Sequence, residues 1–193
     1  MGGWFSKFHA FMNYFPSRSL LWAFAAALCL PAYAEKADRN QPIHFEADVL
    51  RTDNLKKTTH LSGNVVLTKG TIVMRAAQVD LHEDANGNQF STVLGSPQTR
   101  AFFRQKRDGV DEFIEGESER MEYDGRTDSV QFIGKAVVRR LRGARLADEM
   151  QGALIVYNGT TDTLSVDGKT TSSSGAATRV RGMMTPKPDT KSP

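Results

Sequence analysis

The sequence predicts an all-β protein built from antiparallel hairpins, on three observations. Apolar and polar residues alternate with a period of two along most of the chain after residue 40, which puts one set of side chains on one sheet face. The pairs Asn86-Gly87, Asp124-Gly125 and Asn158-Gly159 tolerate the positive φ that tight hairpin turns need. One pattern also recurs four times: an alternating run, a polar turn, a second alternating run and a closing glycine, at Gly63, Gly95, Gly134 and Gly168. A repeat of roughly 35 residues marks stacked supersecondary units that cannot bury an apolar face alone.

In chain order, residues 1–34 read as a cleaved signal peptide. Lys7 and Arg18 precede an apolar stretch from Leu20 to Leu30, and Ala32-Tyr33-Ala34 offers small residues where a signal peptidase reads, with no acid in the segment. The apolar stretch falls short of the roughly 20 residues of a membrane span. The only cysteine, Cys29, lies inside it after Leu28, so the remaining chain has neither disulfides nor thiolate metal ligands. Without Lys7 and Arg18 it carries 23 Lys plus Arg against 22 Asp plus Glu, a formal charge of +1. That balance argues against a nucleic-acid partner.

Residues 35–168 read as one strand-rich domain. Ile43 and Phe45 open it; Val49 and Leu50 lead to a turn at Asp53, and Leu61 leads to Gly63. Ile72 and Met74, then Val79 and Leu81, continue to Asn86-Gly87 and Val93. Phe102 and Phe103 follow, then Met121 and Tyr123 before Asp124-Gly125, and Val130 and Phe132 before Gly134. Leu154 and Val156 precede Asn158-Gly159, and Leu164 and Val166 precede Gly168. Val65-Val66-Leu67 and the run from Ala153 to Tyr157 are apolar on both parities, which implies strands covered on both faces. A sandwich, jelly roll or open roll is favoured over one flat sheet. Residues 169–193 form a Ser/Thr/Gly/Ala- and Pro-rich tail expected to be mostly disordered, with a short edge strand near 178–181 as its one element.

Catalytic signals are sparse. His44, His60 and His82 share no metal-ligand spacing and no nucleophile motif, so no metal, cofactor or catalytic residue is expected. Glu46 with Asp48, and Glu117 with Glu119, share strand faces at a spacing of two; a solvent-facing strand explains them more simply than glycosidase acids or a calcium site. What remains is an apolar set, Ile43, Phe45, Ile72, Met74, Phe102, Phe103, Met121, Phe132, Leu154 and Val156. These residues could share one interior, and periodicity does not say whether it is filled or open.

The run Gln41-Pro42-Ile43-His44-Phe45-Glu46-Ala47-Asp48, then Leu61-Ser62-Gly63-Asn64-Val65 and Lys69-Gly70-Thr71-Ile72 with Ala76 and Val79, resembles the LptA (OstA-type) periplasmic lipopolysaccharide transport proteins. Glu115-Gly116, Met121-Glu122-Tyr123 and Phe132-Ile133-Gly134-Lys135-Ala136 look like their second half. The resemblance runs from about Gln41 to Gly168 and implies an open antiparallel β-jelly-roll (β-roll) with an apolar interior groove. It implies a noncatalytic protein in the periplasm of a Gram-negative bacterium that binds the lipid A part of lipopolysaccharide. Its partners would be an LptC-like inner-membrane receptor, an LptD-like outer-membrane assembly protein and further copies of itself, stacked head to tail. Carrying an acyl tail of roughly a dozen carbons bare through water costs on the order of 10 kcal/mol, which is why such a carrier needs a groove.

By the same resemblance, Ile43 and Phe45 match a first-strand apolar pair associated with lipid contact, and Phe102 or Phe103 matches a groove aromatic. A basic residue that relatives carry after the strand of Val79 and Leu81 is Glu83 here, leaving Arg75, Lys69, Arg104 and Arg107 as the basic candidates for headgroup contact. The unpaired first strand (Ile43 to Asp48) and last strand (Leu164 to Val166, or Val180) are edges on which another chain can add, and a heterologous contact of that kind gives open filaments. Alternative readings are the LptC-like receptor itself, retaining its N-terminal helix, and a jelly-roll glycan-binding module or hydrolase.

Overall fold

The computed structural model describes residues 38–169 and 179–186. The leader expected over 1–34 and most of the tail expected after residue 169 lie outside the described residues. After one 3₁₀ turn at Asp38–Asn40, twelve strands follow: β1 (Ile43–Glu46), β2 (Val49–Asp53), β3 (Thr58–Lys69), β4 (Ile72–Glu83), β5 (Gln89–Leu94), β6 (Ala101–Lys106), β7 (Glu112–Ser118), β8 (Arg120–Asp124), β9 (Ser129–Arg142), β10 (Arg145–Asn158), β11 (Thr163–Asp167) and β12 (Arg181–Met184). All pairings are antiparallel. The terminal strand starts where the sequence placed the end of one.

The registers divide the sheet into two leaves joined along a corner. β3, β4, β9 and β10 are long enough to pass through the corner and serve both leaves. In the first leaf the order is β2, the start of β3, the end of β4, β5, β8, the start of β9, the end of β10 and β11. In the second it is β1, the end of β3, the start of β4, β6, β7, the end of β9, the start of β10 and β12. Both leaves therefore end on strands with one edge free of partners among the described residues: β1 and β2 at one side, β11 and β12 at the other.

The closing glycines mark the corner rather than the ends of isolated hairpins. The four repeats are the four hairpins of the first leaf, and Gly63, Gly95, Gly134 and Gly168 each stand where the chain leaves that leaf. Two of them need glycine for its backbone freedom: Gly63 has φ +78° and is followed by Asn64 at +46°, and Gly134 has +79° and is followed by Lys135 at +46°. Each pair adds one residue to its strand, a bulge that bends it from leaf to leaf. The backbone N–H of Asp48 donates to Gly63 O (2.9 Å), and that of Glu119 donates to Gly134 O (3.0 Å). Their carboxylates take Asn64 Nδ2 (3.0 Å) and Lys135 Nζ (2.7 Å).

This correspondence extends to the whole chain. β1 to β6 and β7 to β12 are two copies of one plan, each a pair of short strands, a long bent hairpin and a second pair of short strands. At the junction of the copies, β5 pairs with β8 and β6 with β7.

The inward rows of both leaves form one core. Leu61, Val79, Val93, Met121, Tyr123, Val130, Phe132, Ile155 and Tyr157 come from the first leaf, and Val65, Leu67, Ile72, Met74, Ala101, Phe103, Ile114, Ala136 and Val138 from the second. Phe103 and Phe132 meet across the leaves edge to face, centroids 5.8 Å apart at 73°, the geometry that aromatic quadrupoles favour. The Phe132 ring lies in the notch left by Gly116, where a Cβ would fall 2.0 Å from its Cε1.

Candidate functional site

The space between the leaves is the one place where the expected apolar residues converge. Ile72, Met74, Phe103, Met121 and Phe132 are buried in the shared core. Ile43 packs against that core from β1. Phe45 follows the same inward row, pairing with buried Leu67, but as an edge residue remains 46% exposed.

Three expectations are corrected. Phe102 faces away from Phe103, as neighbours on a strand must, and lies on the outer face with the Arg75 guanidinium 5.3 Å above its ring. Leu154 and Val156 also point away from the core, and Ile155 and Tyr157 take the interior positions. The register shift between Gly152 and Leu154 moves the inward set from even to odd numbers, and a period-two reading carried through that corner inverts every later residue. Leu154 and Val156 are therefore withdrawn from the candidate set.

The interior is filled by its own side chains. A void of about 20 Å³ remains within the packed rows, lined among others by Ile43, Leu67, Ile72, Met74 and Tyr123. Beside it, at the β1 and β2 edge of the mouth, lies a concavity of about 350 Å³ lined among others by Ile43, Thr52, Thr59, Leu81 and Gln89. The inner void has room for about one water, so the groove that the sequence resemblance implies is a packed apolar seam that opens toward the β1 and β2 edge. Larger concavities of about 680 and 830 Å³ involve outward rows, one with His60, Asp80 and Glu122, the other with Arg75, Arg100 and Phe102.

Opposite the corner, the hairpin turns of the two leaves face each other across the mouth. Lys69, buried at the end of β3, donates from Nζ to Gln89 Oε1 on the other leaf (2.9 Å). Arg107, just past β6, donates from Nε to Asp162 Oδ1 (2.9 Å), also across the mouth, and pairs with Glu112 on its own leaf. Arg142 Nε donates to Glu112 Oε1 (2.9 Å), and Arg140 pairs with Asp148. Burial works against the Glu112 carboxylate, yet Arg142 and Arg107 outweigh it and hold its pKa below the ordinary glutamate value. The Tyr157 phenol beneath them is pushed well above its ordinary pKa by burial and by Asp162.

Asp48, Glu117, Glu119, His60 and His82 make structural contacts. Glu117 lies between Arg100 and Arg139, and Glu149 takes Arg139 Nε (2.8 Å). His60 Nδ1 is 2.6 Å from Asp80 Oδ1, and His82 stacks on Phe90. Among the described residues no group of three or more His, Cys, Asp or Glu is placed to hold a metal ion. The rim arginines Arg140 and Arg142 went unnoticed in the sequence, although they continue the inward parity of Ala136 and Val138.

Comparison with known proteins places this architecture. A family model described as LptA/(LptD N-terminal domain) LPS transport protein matches residues 44–163. The lipopolysaccharide export system protein LptA of Escherichia coli (strain K12) is 28% identical over 115 residues, 60% of this chain and 61% of that protein. Its counterpart in Haemophilus influenzae is 26% identical over 137 residues, 71% and 76% of the two chains. LptH of Pseudomonas aeruginosa is 34% identical over 98 residues, 50% and 53%. The chain thus spans about three fifths of the length of the E. coli relative. The crystal structure of P. aeruginosa LptH, described as the LptA-homologous periplasmic component of the lipopolysaccharide transport device, superposes with a TM-score of 0.68 at 24% identity, over 78% of this chain and 99% of that one. That match shows a shared β-jelly-roll fold.

Proposed function

The chain belongs to the LptA/(LptD N-terminal domain) LPS transport protein family, and from that premise we propose that it is a noncatalytic periplasmic carrier of lipopolysaccharide between the inner and outer membranes. The observation that carries this reading is the apolar interior between the leaves, continuous from the unpaired β1 and β2 edge to the unpaired β11 and β12 edge. Acyl chains of lipid A occupy it in the loaded protein, against Ile43, Phe45, Ile72, Met74, Phe103, Met121 and Phe132, with Ile155 and Tyr157 added. The partners are an LptC-like receptor, an LptD-like assembly protein and other copies of the chain, and the leader is cleaved after Ala34.

The junction between the two internal copies supports head-to-tail stacking. Placing Gly134 on Gly63 and Gly152 on Ala76 sets β11 and β12 of one molecule where β5 and β6 stand, with β1 and β2 of the next molecule where β7 and β8 stand. The internal pair Phe103–Gly116 becomes Gly182–Phe45, again one large residue against one glycine. Phe102–Glu117 becomes Arg181–Glu46, and Val93–Met121 becomes Val166–Leu50. The exposed Phe45 and Leu50 are thereby buried.

A photocrosslinking residue at Ile72 tests the cargo. Mature protein loaded with lipopolysaccharide labels lipid from Ile72 and not from the outward Arg75; labelling confined to Arg75 refutes the interior as the binding site. Mass spectrometry of the secreted protein finds Glu35 at its N-terminus; a retained leader favours the anchored receptor instead.

A further inference from the structure

The inward row of the second leaf changes chemistry as it reaches the mouth. Along β9 it runs Ala136, Val138, Arg140, Arg142; along β7 it runs Gly116, Ile114, Glu112, with Arg107 opposite Glu112. Three guanidiniums there meet two carboxylates of their own leaf, Glu112 and Asp148. The third carboxylate, Asp162, comes from the opposite leaf. It is the most exposed of the three acids, with 46% of its side chain accessible against 16% for Glu112 and 6% for Asp148, and it sits on a turn with φ +53°. Arg140 Nε is buried without a hydrogen-bond partner among the described residues.

The concavity at the β1 and β2 edge gives an acyl chain a place to start, but the void of about 20 Å³ within the packed rows admits none. A chain therefore lies along the core only if the leaves part, and parting them separates Arg107 from Asp162. A molecule that carries both an apolar chain and an anion replaces what is lost, because phosphate oxygens accept paired bonds from a planar guanidinium as a carboxylate does. We propose that Arg107, Arg140 and Arg142 seat a headgroup phosphate of the acylated cargo, and that Asp162 is its intramolecular stand-in, holding the mouth shut while the interior is empty. This rests on the carrier reading above. Lys69 and Gln89 form a second tie across the same mouth.

The test uses the purified mature chain with lipid A, dephosphorylated lipid A and inorganic phosphate as separate probes, all in one detergent. Wild type prefers the phosphorylated lipid. Arg107→Gln weakens it about ten- to a hundredfold, as expected for lost hydrogen bonds to a charged group, while the dephosphorylated lipid binds as well or better because the tie is gone. Asp162→Asn, which removes only the stand-in, tightens the phosphorylated lipid. Equal binding of both lipids by wild type overturns the phosphate site and leaves the carrier reading standing; binding of neither overturns the carrier reading. Displacement of lipid A by millimolar inorganic phosphate assigns the cluster to free phosphate and overturns the headgroup role. If Arg107→Gln does not fold by circular dichroism, Asp162→Asn decides alone, and unchanged affinity there overturns the proposal.

Discussion

The Phe132 and Gly116 contact makes a quantitative test of how the core is assembled. Phe132 is fully buried, and its ring occupies the place that a side chain at position 116 would fill. Phe132→Ala should cost about 3–5 kcal/mol from lost transfer energy and a residual cavity, including about 0.5–1.5 kcal/mol from the edge-to-face pair with Phe103. Gly116→Ala meets no backbone strain, since its φ is not in the left-handed region. It drives a methyl into the Phe132 ring and should cost about 1–3 kcal/mol as overpacking. In the Phe132→Ala background that obstruction is gone, and the same methyl should be neutral or stabilise by up to about 1 kcal/mol, since glycine weakens a strand interior. The double mutant therefore lies about 1–4 kcal/mol above the sum of the singles. Urea unfolding followed by circular dichroism measures all four corners of the cycle, with m-values compared to verify a common unfolded state. Additivity within about 0.5 kcal/mol would refute the notch and with it the close apposition of the two leaves.

Three other outcomes follow from the corner, the ion pairs and the edges. Gly63→Ala should destabilise by more than Gly87→Ala: both have positive φ, at roughly 1–2 kcal/mol, but a methyl at 63 collides with Asp48 while one at 87 meets nothing; equal melting shifts refute the tight corner. Glu149 is held below the ordinary glutamate pKa by the hydrogen bonds from Arg139 and Gln151, so its contribution is present above about pH 4.3 and is lost as pH falls through the lowered folded value. Glu149→Gln should therefore flatten the acid limb of stability against pH, and an unchanged limb counts against the pairing. Glu46→Arg and Arg181→Glu should each weaken self-association a few-fold by sedimentation velocity, the scale of an exposed ion pair, and the double reversal should restore it. Failure of the restoration rejects the proposed register.

The strands and, Phe102 excepted, the buried set of the first two-thirds were legible because alternation and turn chemistry are local. Ile72, Met74, Met121 and Phe132 follow from parity alone, since no bulge separates each from the turn that anchors it. Leu154 and Val156 do not, because the shift at Gly152 depends on an extra residue in the neighbouring strand at Gly134-Lys135. That is a property of two strands together. The closing glycines were visible as a repeat, but their place on a shared corner needed the pairing of Asp48 with Gly63 and of Glu119 with Gly134. The mouth was hidden for the same reason: Arg107 and Asp162 lie 55 residues apart, and their approach is set by leaf geometry.

The packed interior and the carrier reading make opposite demands on the same residues, and the chain separates them in space. A seam of fully buried aliphatic and aromatic side chains favours closure through the area it removes from water, but an acyl chain entering it restores nearly all of that burial, so the core itself is almost indifferent to which apolar partner fills it. The discriminating energy must then lie where the two states differ in kind, at the rim, where Arg107 faces Asp162 and Lys69 faces Gln89. A ligand shifts an equilibrium only by its differential interaction with the two states. A purely apolar guest therefore has little with which to open the mouth, while a guest that also carries an anion exchanges one partner of Arg107 for another. On this argument, substitutions in the core change stability far more than selectivity, and substitutions at the rim change selectivity far more than stability.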